Sequence, residues 1–294
     1  MNKEGARLLR KSLYVLLAIT LCACTGLYGE AKYQMFSSFI VSDMNEQDKE
    51  NYIEVLHDGM LNKEEEIVLD YRGSGEELET FVVDMISNAF EIDNKETSSD
   101  YDYMRYIHSA SHVNMTGWGK KYKVTYSMEY LESKEQTEQV NKRVEKILKK
   151  LKVSEMSDYN KVKAIHDYVI DNVTYDMSTN FNSPYYALVK GTSACQGYAV
   201  LIYKMLTEAD IECRVVTGKA KGGLHAWNLV KIDDKWYNLD ATWDDPVGLF
   251  GKSAARYRYF LKTDREMMDH KRDEEFSTEQ FNNNFPMAMK SYGK

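Results

Sequence analysis

Apolar positions along this chain alternate between a spacing of two and a spacing of three to four, the signatures of strand and amphipathic helix. Ile67 to Tyr71 reads as a short strand stopped by Gly73-Ser74-Gly75. Leu78, Phe81, Val82, Met85, Ile86 and Ala89 then follow helical spacing, and the polar stretch from Glu91 to Asp100 reads as a loop. Tyr122, Val124, Tyr126, Met128 and Tyr130 alternate with mostly polar neighbours, as a half-buried strand does. Val140, Val144, Ile147, Leu148 and Leu151 mark a helix with a lysine-rich, solvated outer face. A second helix opens with Ser157 or Asp158 as cap, buries Val162, Ile165 and Val169, and ends near Asn172.

The first residues follow a different logic. Lys3, Arg7, Arg10 and Lys11 precede a nine-residue apolar run, Leu13 to Leu21, which is too short to span a bilayer. The run ends in Leu21-Cys22-Ala23-Cys24, which resembles the bacterial lipobox. This predicts a signal peptide over 1–23 and a lipidated Cys24 as the mature N-terminus. Residues 25–50 lack periodicity, and nine acids face two lysines from Asp43 to Glu66. Residues 24–66 therefore read as an acidic spacer.

Charge narrows the function classes. The 294-residue chain carries 38 basic and 46 acidic residues, a net charge of −8. Without residues 1–23 it keeps 34 basic and 45 acidic residues, a net −11. A nucleic-acid partner is excluded, since phosphate binding needs a basic stripe. Of four cysteines, only Cys195 and Cys213 belong to the expected folded part. A disulfide framework is thereby excluded.

Three segments carry candidate chemistry. In the first, Cys195 precedes Tyr198, Leu201, Ile202, Met205 and Leu206 at helical spacing, and Ser193 with Gln196 reads as a capping box. Cys195 then falls in the first turn of a helix, where backbone N–H groups and the helix dipole favour an anion. The second is His225-Ala226-Trp227-Asn228, and the third runs from Trp236 to Pro246. Asp233-Asp234 between them reads as a two-residue hairpin turn, which pairs Ile232 with Lys235. Extended, that register sets His225 opposite Thr242 and makes Asp240 its diagonal neighbour on the same face. A nucleophile at a helix start with a His–Asp pair on a hairpin is the constellation of covalent acyl transfer.

The runs "ACQGYA", "HAWN" and "WYNLDATWDDP", in that order, resemble the transglutaminase-like (transglutaminase/protease) superfamily, especially its bacterial secreted members. "IHDYVIDNVTYD" upstream and "YRYFL" downstream extend the resemblance over roughly 155–265. It implies an α+β, papain-like fold, with the cysteine helix packed on a small antiparallel sheet bearing the histidine and aspartate. By the same resemblance Cys195 is the nucleophile, His225 the general base and acid, and Asp240 the group that holds the imidazole. The Cys195 N–H would be one oxyanion donor, with Gln196, Tyr175 and Trp243 as candidate side-chain donors. The organisation expected is an α/β region of unassigned role over 67–152, a catalytic core over 153–265 and a tail over 266–294.

Simpler readings cover the remaining residues. His166 reads as a satisfied core histidine and Cys213 as a packed strand residue. Trp227, Trp236 and Trp243 read as core or as walls of a substrate cleft. His108 and His112 have the spacing of one helix face but lack the glutamate of a zinc-peptidase motif, so no metal or other cofactor is expected. Asp244-Asp245 before Pro246 reads as a turn, with calcium binding as an option that nothing requires. The function expected is cysteine-dependent hydrolysis of peptide or protein amides by a lipid-anchored protein outside the cytoplasm. Hydrolysis is favoured because the chain lacks the large β-sandwich domains of animal transglutaminases. The alternatives are amine transfer to glutamine side chains, and a non-catalytic module that holds a peptide or cell-envelope component.

Overall fold

The computed structural model describes residues 17–19, 44–95, 97–245 and 256–293. The expected leader, apart from those first three residues, lies outside this set, as do Cys22, Cys24 and Pro246. The chain divides into two compact units, one built from residues 17–19, 44–91 and 110–129, the other from 92–109 and 130–293.

The first unit departs from expectation at once. Residues read as an acidic spacer contain a 16-residue helix, α1 (Glu46–Leu61), opened by a reciprocal capping box between Asn45 and Asp48. Its buried positions include Tyr52, Leu56 and Met60, four residues apart, while Glu46, Asp48, Glu50, Glu54 and Asp58 are all exposed. One apolar residue per turn is enough to dock a helix whose other faces are solvated. A four-stranded sheet completes the unit, from β1 (Leu17–Ile19), β2 (Glu66–Arg72), β3 (His108–Trp118) and β4 (Lys121–Tyr130), in the order β1-β3-β4-β2. Helix α2 (Leu78–Phe90) buries the six residues that set its spacing. The Tyr52 ring meets Phe81 edge-on at 5.1 Å, and its hydroxyl pairs with that of Tyr126 at 3.2 Å. His108 and His112 stand on β3 rather than on a helix, so four residues of strand separate them by about 13 Å.

In the second unit, a sheet buried on both faces carries the site. Strands β7 (Cys213–Ala220), β8 (Gly223–Ile232), β9 (Lys235–Leu239) and β10 (His270–Arg272) pair antiparallel in the order β10-β7-β8-β9. A separate parallel pair joins β5 (Thr174–Tyr175) to β6 (Thr192–Ser193). The helices are α3 (Asp102–Ile107), α4 (Lys134–Leu151), α5 (Asp158–Asn172), α6 (Cys195–Thr207) and the short α7 (Ala241–Asp244) and α8 (Glu279–Asn284). Ala226, Val230 and Ile232 of β8 join the core formed with α4, α5 and α6. Trp227 and Leu229, the alternate residues, pack instead with Tyr259, Met267, Phe276 and Phe281. Residues 266–294 are therefore not a tail. They cover the second face of a sheet that would otherwise expose two tryptophans and a leucine to water.

The hairpin forms with the expected register, from Ile232 opposite Lys235 to Asn228 opposite Leu239. Asp233 and Asp234 both have positive φ, 49° and 58°, as a two-residue turn matched to strand twist requires. The pairing stops at Leu239, where the chain turns into α7, so His225 does not face Thr242. Its strand partner is Gly218 on β7. Gly218 lies between β8 and β10, opposite His225 on one side and Arg272 on the other. A Cβ there would stand 2.1 Å from the Lys271 carbonyl oxygen, so only glycine lets β10 approach this closely.

Replacing Leu56 by Ala is expected to destabilise the first unit by about 2–5 kcal/mol in a denaturant melt, as for a large-to-small change in a core. A change near zero would restore the spacer reading of α1.

Candidate active site

Cys195 is the first residue of α6, with Ala194 as the extended N-cap. The expected capping box does not form. Ser193 belongs to β6, pairing with Tyr175, and its hydroxyl donates to the Phe181 carbonyl at 3.0 Å. Gly197 makes room for that hydroxyl, since a Cβ there would lie 1.9 Å from it. Gln196 donates instead from its amide to the Tyr106 carbonyl at 2.7 Å. The helix start is thus left without a side-chain cap, and the half-buried Cys195 holds its first position.

Asn228, of "HAWN", ties the helix to the sheet. Its amide donates to the Ala199 carbonyl of α6 at 2.9 Å and to the Arg214 carbonyl of β7 at 3.3 Å. One side chain therefore fixes the distance between the element that carries Cys195 and the strand that carries His225.

His225 is buried, and its Nε2 lies 2.7 Å from Asp240 Oδ2. Its ring is stacked beside Trp227, with centroids 6.0 Å apart, and tilted against Trp243 at 5.3 Å. Cys195 lies near enough to the same imidazole to act on its charge. With Nε2 engaged by Asp240, Nδ1 is the nitrogen left for the thiol. Burial works against charge on this ring, but the Asp240 carboxylate and the nearby Cys195 outweigh it and raise His225 to about 10.

Asp240 ends β9 and caps α7, accepting from the Trp243 backbone N–H through Oδ1 at 3.2 Å. Burial pushes its carboxyl up, yet the charge and hydrogen bond of His225, joined by His270, hold it well below the usual carboxylate range. His270 Nε2 stands 2.9 Å from the same Oδ2 that meets His225. Sequence reading passed over His270 because it is a single histidine in a polar stretch, thirty residues beyond its partner. Its one signal is the short run of strand register with β7, which the hydrophobic pattern does not display.

The other predicted residues divide. Tyr175 is drawn into the site: burial, then the nearby Cys195, Asp176 and Asp240, push its phenol up to about 12. Gln196 sits beside Cys195 with one amide hydrogen committed to Tyr106. Trp227 and Trp243 are not cleft walls. Both are buried, Trp227 donating to Asn238 Oδ1 at 3.0 Å, and both support the His225 ring from within the core. Trp236 is likewise buried, against Phe285.

His166 is a satisfied core histidine, fully buried between Asp167 at 3.3 Å and Asp244 at 3.2 Å. Burial opposes charge on it, and the two carboxylates outweigh burial to raise it. Burial lifts Asp244 to about 6 against the opposing pull of His166 and of the Tyr259 N–H. Asp245 accepts from the Tyr198 hydroxyl at 2.8 Å. Asp244 and Asp245 thus anchor neighbouring elements and do not present an open oxygen cluster for calcium. Cys213 is buried on β7, and burial drives its thiol far above the ordinary range.

Among the described residues, His225, Asp240 and His270 bring their ligand atoms within 4.8 Å of one another, and these would be the ligands of a divalent ion. A zinc ion needs each atom at about 2.0–2.2 Å. Here Oδ2 stands 2.7 and 2.9 Å from the two nitrogens as a shared acceptor, which is the geometry of hydrogen bonds. Among the described residues no helix is long and apolar enough to cross a membrane.

Comparison with known proteins finds a likeness over part of the chain. Residues 145–241 match the model of the transglutaminase-like superfamily. The chain carries a transglutaminase-like core. That superfamily consists in general of cysteine-dependent peptidases and acyltransferases. The chain is 27% identical over 121 residues to the kyphoscoliosis peptidase of Mus musculus, and 29% over 105 residues to that of Homo sapiens. These alignments cover 35% and 30% of this chain but only 18% and 16% of the relatives, so the chain spans a small part of their length. Among solved structures, a TGase shares 15% identity with a TM-score of 0.35, covering 67% of this chain and 57% of its own. A candidate cysteine protease from Cytophaga hutchinsonii shares 17% identity with a TM-score of 0.32, covering 44% and 61%.

An NMR titration of the His225 ring nitrogens is expected to show a midpoint near 10. In Asp240→Asn, which removes the carboxylate charge, the midpoint should fall. Because His225 is raised above its ordinary 6.5, its contribution to folding is complete below that value and is lost as pH rises through about 10. An unchanged midpoint in the variant would show that Asp240 is not what holds the charge.

Proposed function

We propose that this protein hydrolyses amide bonds in peptides or proteins, with Cys195 as nucleophile, His225 as proton carrier and Asp240 as the group that orients His225. The observation that carries the reading is the buried His225–Asp240 pair at 2.7 Å, with Cys195 at a helix start near enough to act on the charge of the same imidazole. A thiolate facing an imidazolium is the reactive form of such a pair. The sulfur attacks the carbonyl carbon, and the Cys195 N–H stabilises the oxyanion. The carbon–nitrogen bond then breaks, the amine leaves with the proton from His225, and a thioester remains. Water attacks the thioester, gives a proton to His225 and expels the sulfur, releasing the acid. Tyr175, Gln196 and Trp243 are the candidates for a second oxyanion donor, of which Tyr175 is near Cys195 and Gln196 adjoins it in the chain. Hydrolysis is preferred over amine transfer because the two curated relatives are named as peptidases.

We also propose that Cys24 is acylated and that the mature protein sits on the outer face of a bacterial membrane. The basic residues, the apolar run and the lipobox-like ending at Cys24 support this.

Digestion of a peptide library is expected to give cleavage products that fall at least ~10³-fold in Cys195→Ala. Millimolar primary amine should leave hydrolysis the main outcome. Dominant amide exchange would make it a transferase, and library peptides retained without cleavage would make it a binding module. Metabolic labelling with radioactive palmitate should mark the wild type and Cys22→Ala but not Cys24→Ala. Label persisting in Cys24→Ala would refute the anchor.

A further inference from the structure

We infer that His270 is a positioning residue, which holds the Asp240 carboxylate against His225 although it lies outside the segment matched to the family. The inference rests on the hydrolytic reading of Cys195, His225 and Asp240 given above.

A buried carboxylate with one ring bonded to it can rotate about its own axis, and each rotation changes where that ring points. Asp240 is held against such rotation at both oxygens. Oδ1 accepts from the Trp243 N–H at 3.2 Å, and Oδ2 receives His225 at 2.7 Å and His270 at 2.9 Å. Without His270, the side of Oδ2 away from His225 loses its donor, and a long backbone contact is left to fix the carboxylate.

The His270 ring is itself fixed at both ends. Nδ1 stands 2.9 Å from Asp269 Oδ1, and the other Asp269 oxygen accepts from the Tyr259 hydroxyl at 2.7 Å. Trp243 and Trp227 meet the ring near edge-on, with centroids at 4.5 and 5.1 Å. The result is a continuous series, Tyr259–Asp269–His270–Asp240–His225, which ends on the imidazole nearest Cys195; the first three members keep the last two aligned. Tyr175 and Asp244 are the other titratable groups coupled to Asp240, and Lys221 lies over the Trp243 ring at 4.5 Å. Delivery of His270 depends on Gly218, whose missing side chain lets β10 lie against β7.

The test uses two alkylating probes that need no substrate. Iodoacetate is an anion and iodoacetamide is neutral, so the ratio of their rates at Cys195 reports the imidazolium held beside the sulfur. In His270→Leu the ratio should fall, and kcat on a cleaved peptide should drop about 10- to 100-fold with KM little changed, the scale of one hydrogen bond to a charged group. His270→Gln, whose amide nitrogen reaches the position of Nε2, should restore both. His270→Asn, polar but too short, should not. If His270→Leu fails to fold, the contrast between Gln and Asn still decides. A wild-type ratio in Leu or Asn, or equal loss in Gln and Asn, would overturn the positioning role and leave only packing. A distinct result would sink the underlying reading instead: wild-type Cys195 reacting no faster than free cysteine, with His225→Ala unchanged.

Discussion

A carboxylate almost wholly withdrawn from water must either take up a proton or be surrounded by donors, and Asp240 takes the second course. Three donors from three places converge on it: the Trp243 backbone, His225 on the neighbouring strand and His270 from the sheet edge. Each of these elements must be in place for the charge to be tolerated. The end of β9, the start of α7, and the attachment of β10 are thus coupled through one side chain. Removing one partner from such a set leaves the rest poorly compensated, which costs more than the contact itself contributes.

The second constraint is the two-faced sheet. Alternation along β8 sends Ala226, Asn228 and Val230 toward α6 and Trp227 and Leu229 the other way, and neither set can face water. Asn228 sets the spacing on the first side by bonding Ala199. On the second side, aromatic residues from Tyr259 to Phe281 both exclude water and hold the rings around His225. Packing and chemistry are joined here: the residues that complete the core also bring in the second imidazole.

What could be read from sequence followed the range of the forces involved. The turn at Asp233-Asp234 is local, so the register was legible from Ile232–Lys235 to Asn228–Leu239, while its extension to His225 opposite Thr242 failed where the chain turns into α7. The helical spacing after Cys195 is local too, and it located the thiol at a helix start. The supposed cap failed because Ser193 is claimed by β6 and Phe181, partners that no local rule reveals. Helix α1 was hidden because its three large buried apolar residues were outweighed in the pattern by the acids around them. His270 was hidden more deeply, since its role depends on strand pairing and on the absence of a side chain at Gly218. The tryptophans were read as core or as cleft walls, and only the assembled sheet decides for the core.

The position of β10 in the chain gives the site an order of assembly. Cys195, His225 and Asp240 all precede the segment that covers them, so a chain emerging from its N-terminus can pair β8 with β9 before His270 exists. Until those last residues arrive, one face of the sheet is bare and Asp240 has lost a donor. Cys195 is therefore in place before the contacts around Asp240 are complete. A nascent or truncated chain would carry Cys195 and His225 without the second imidazole on Asp240.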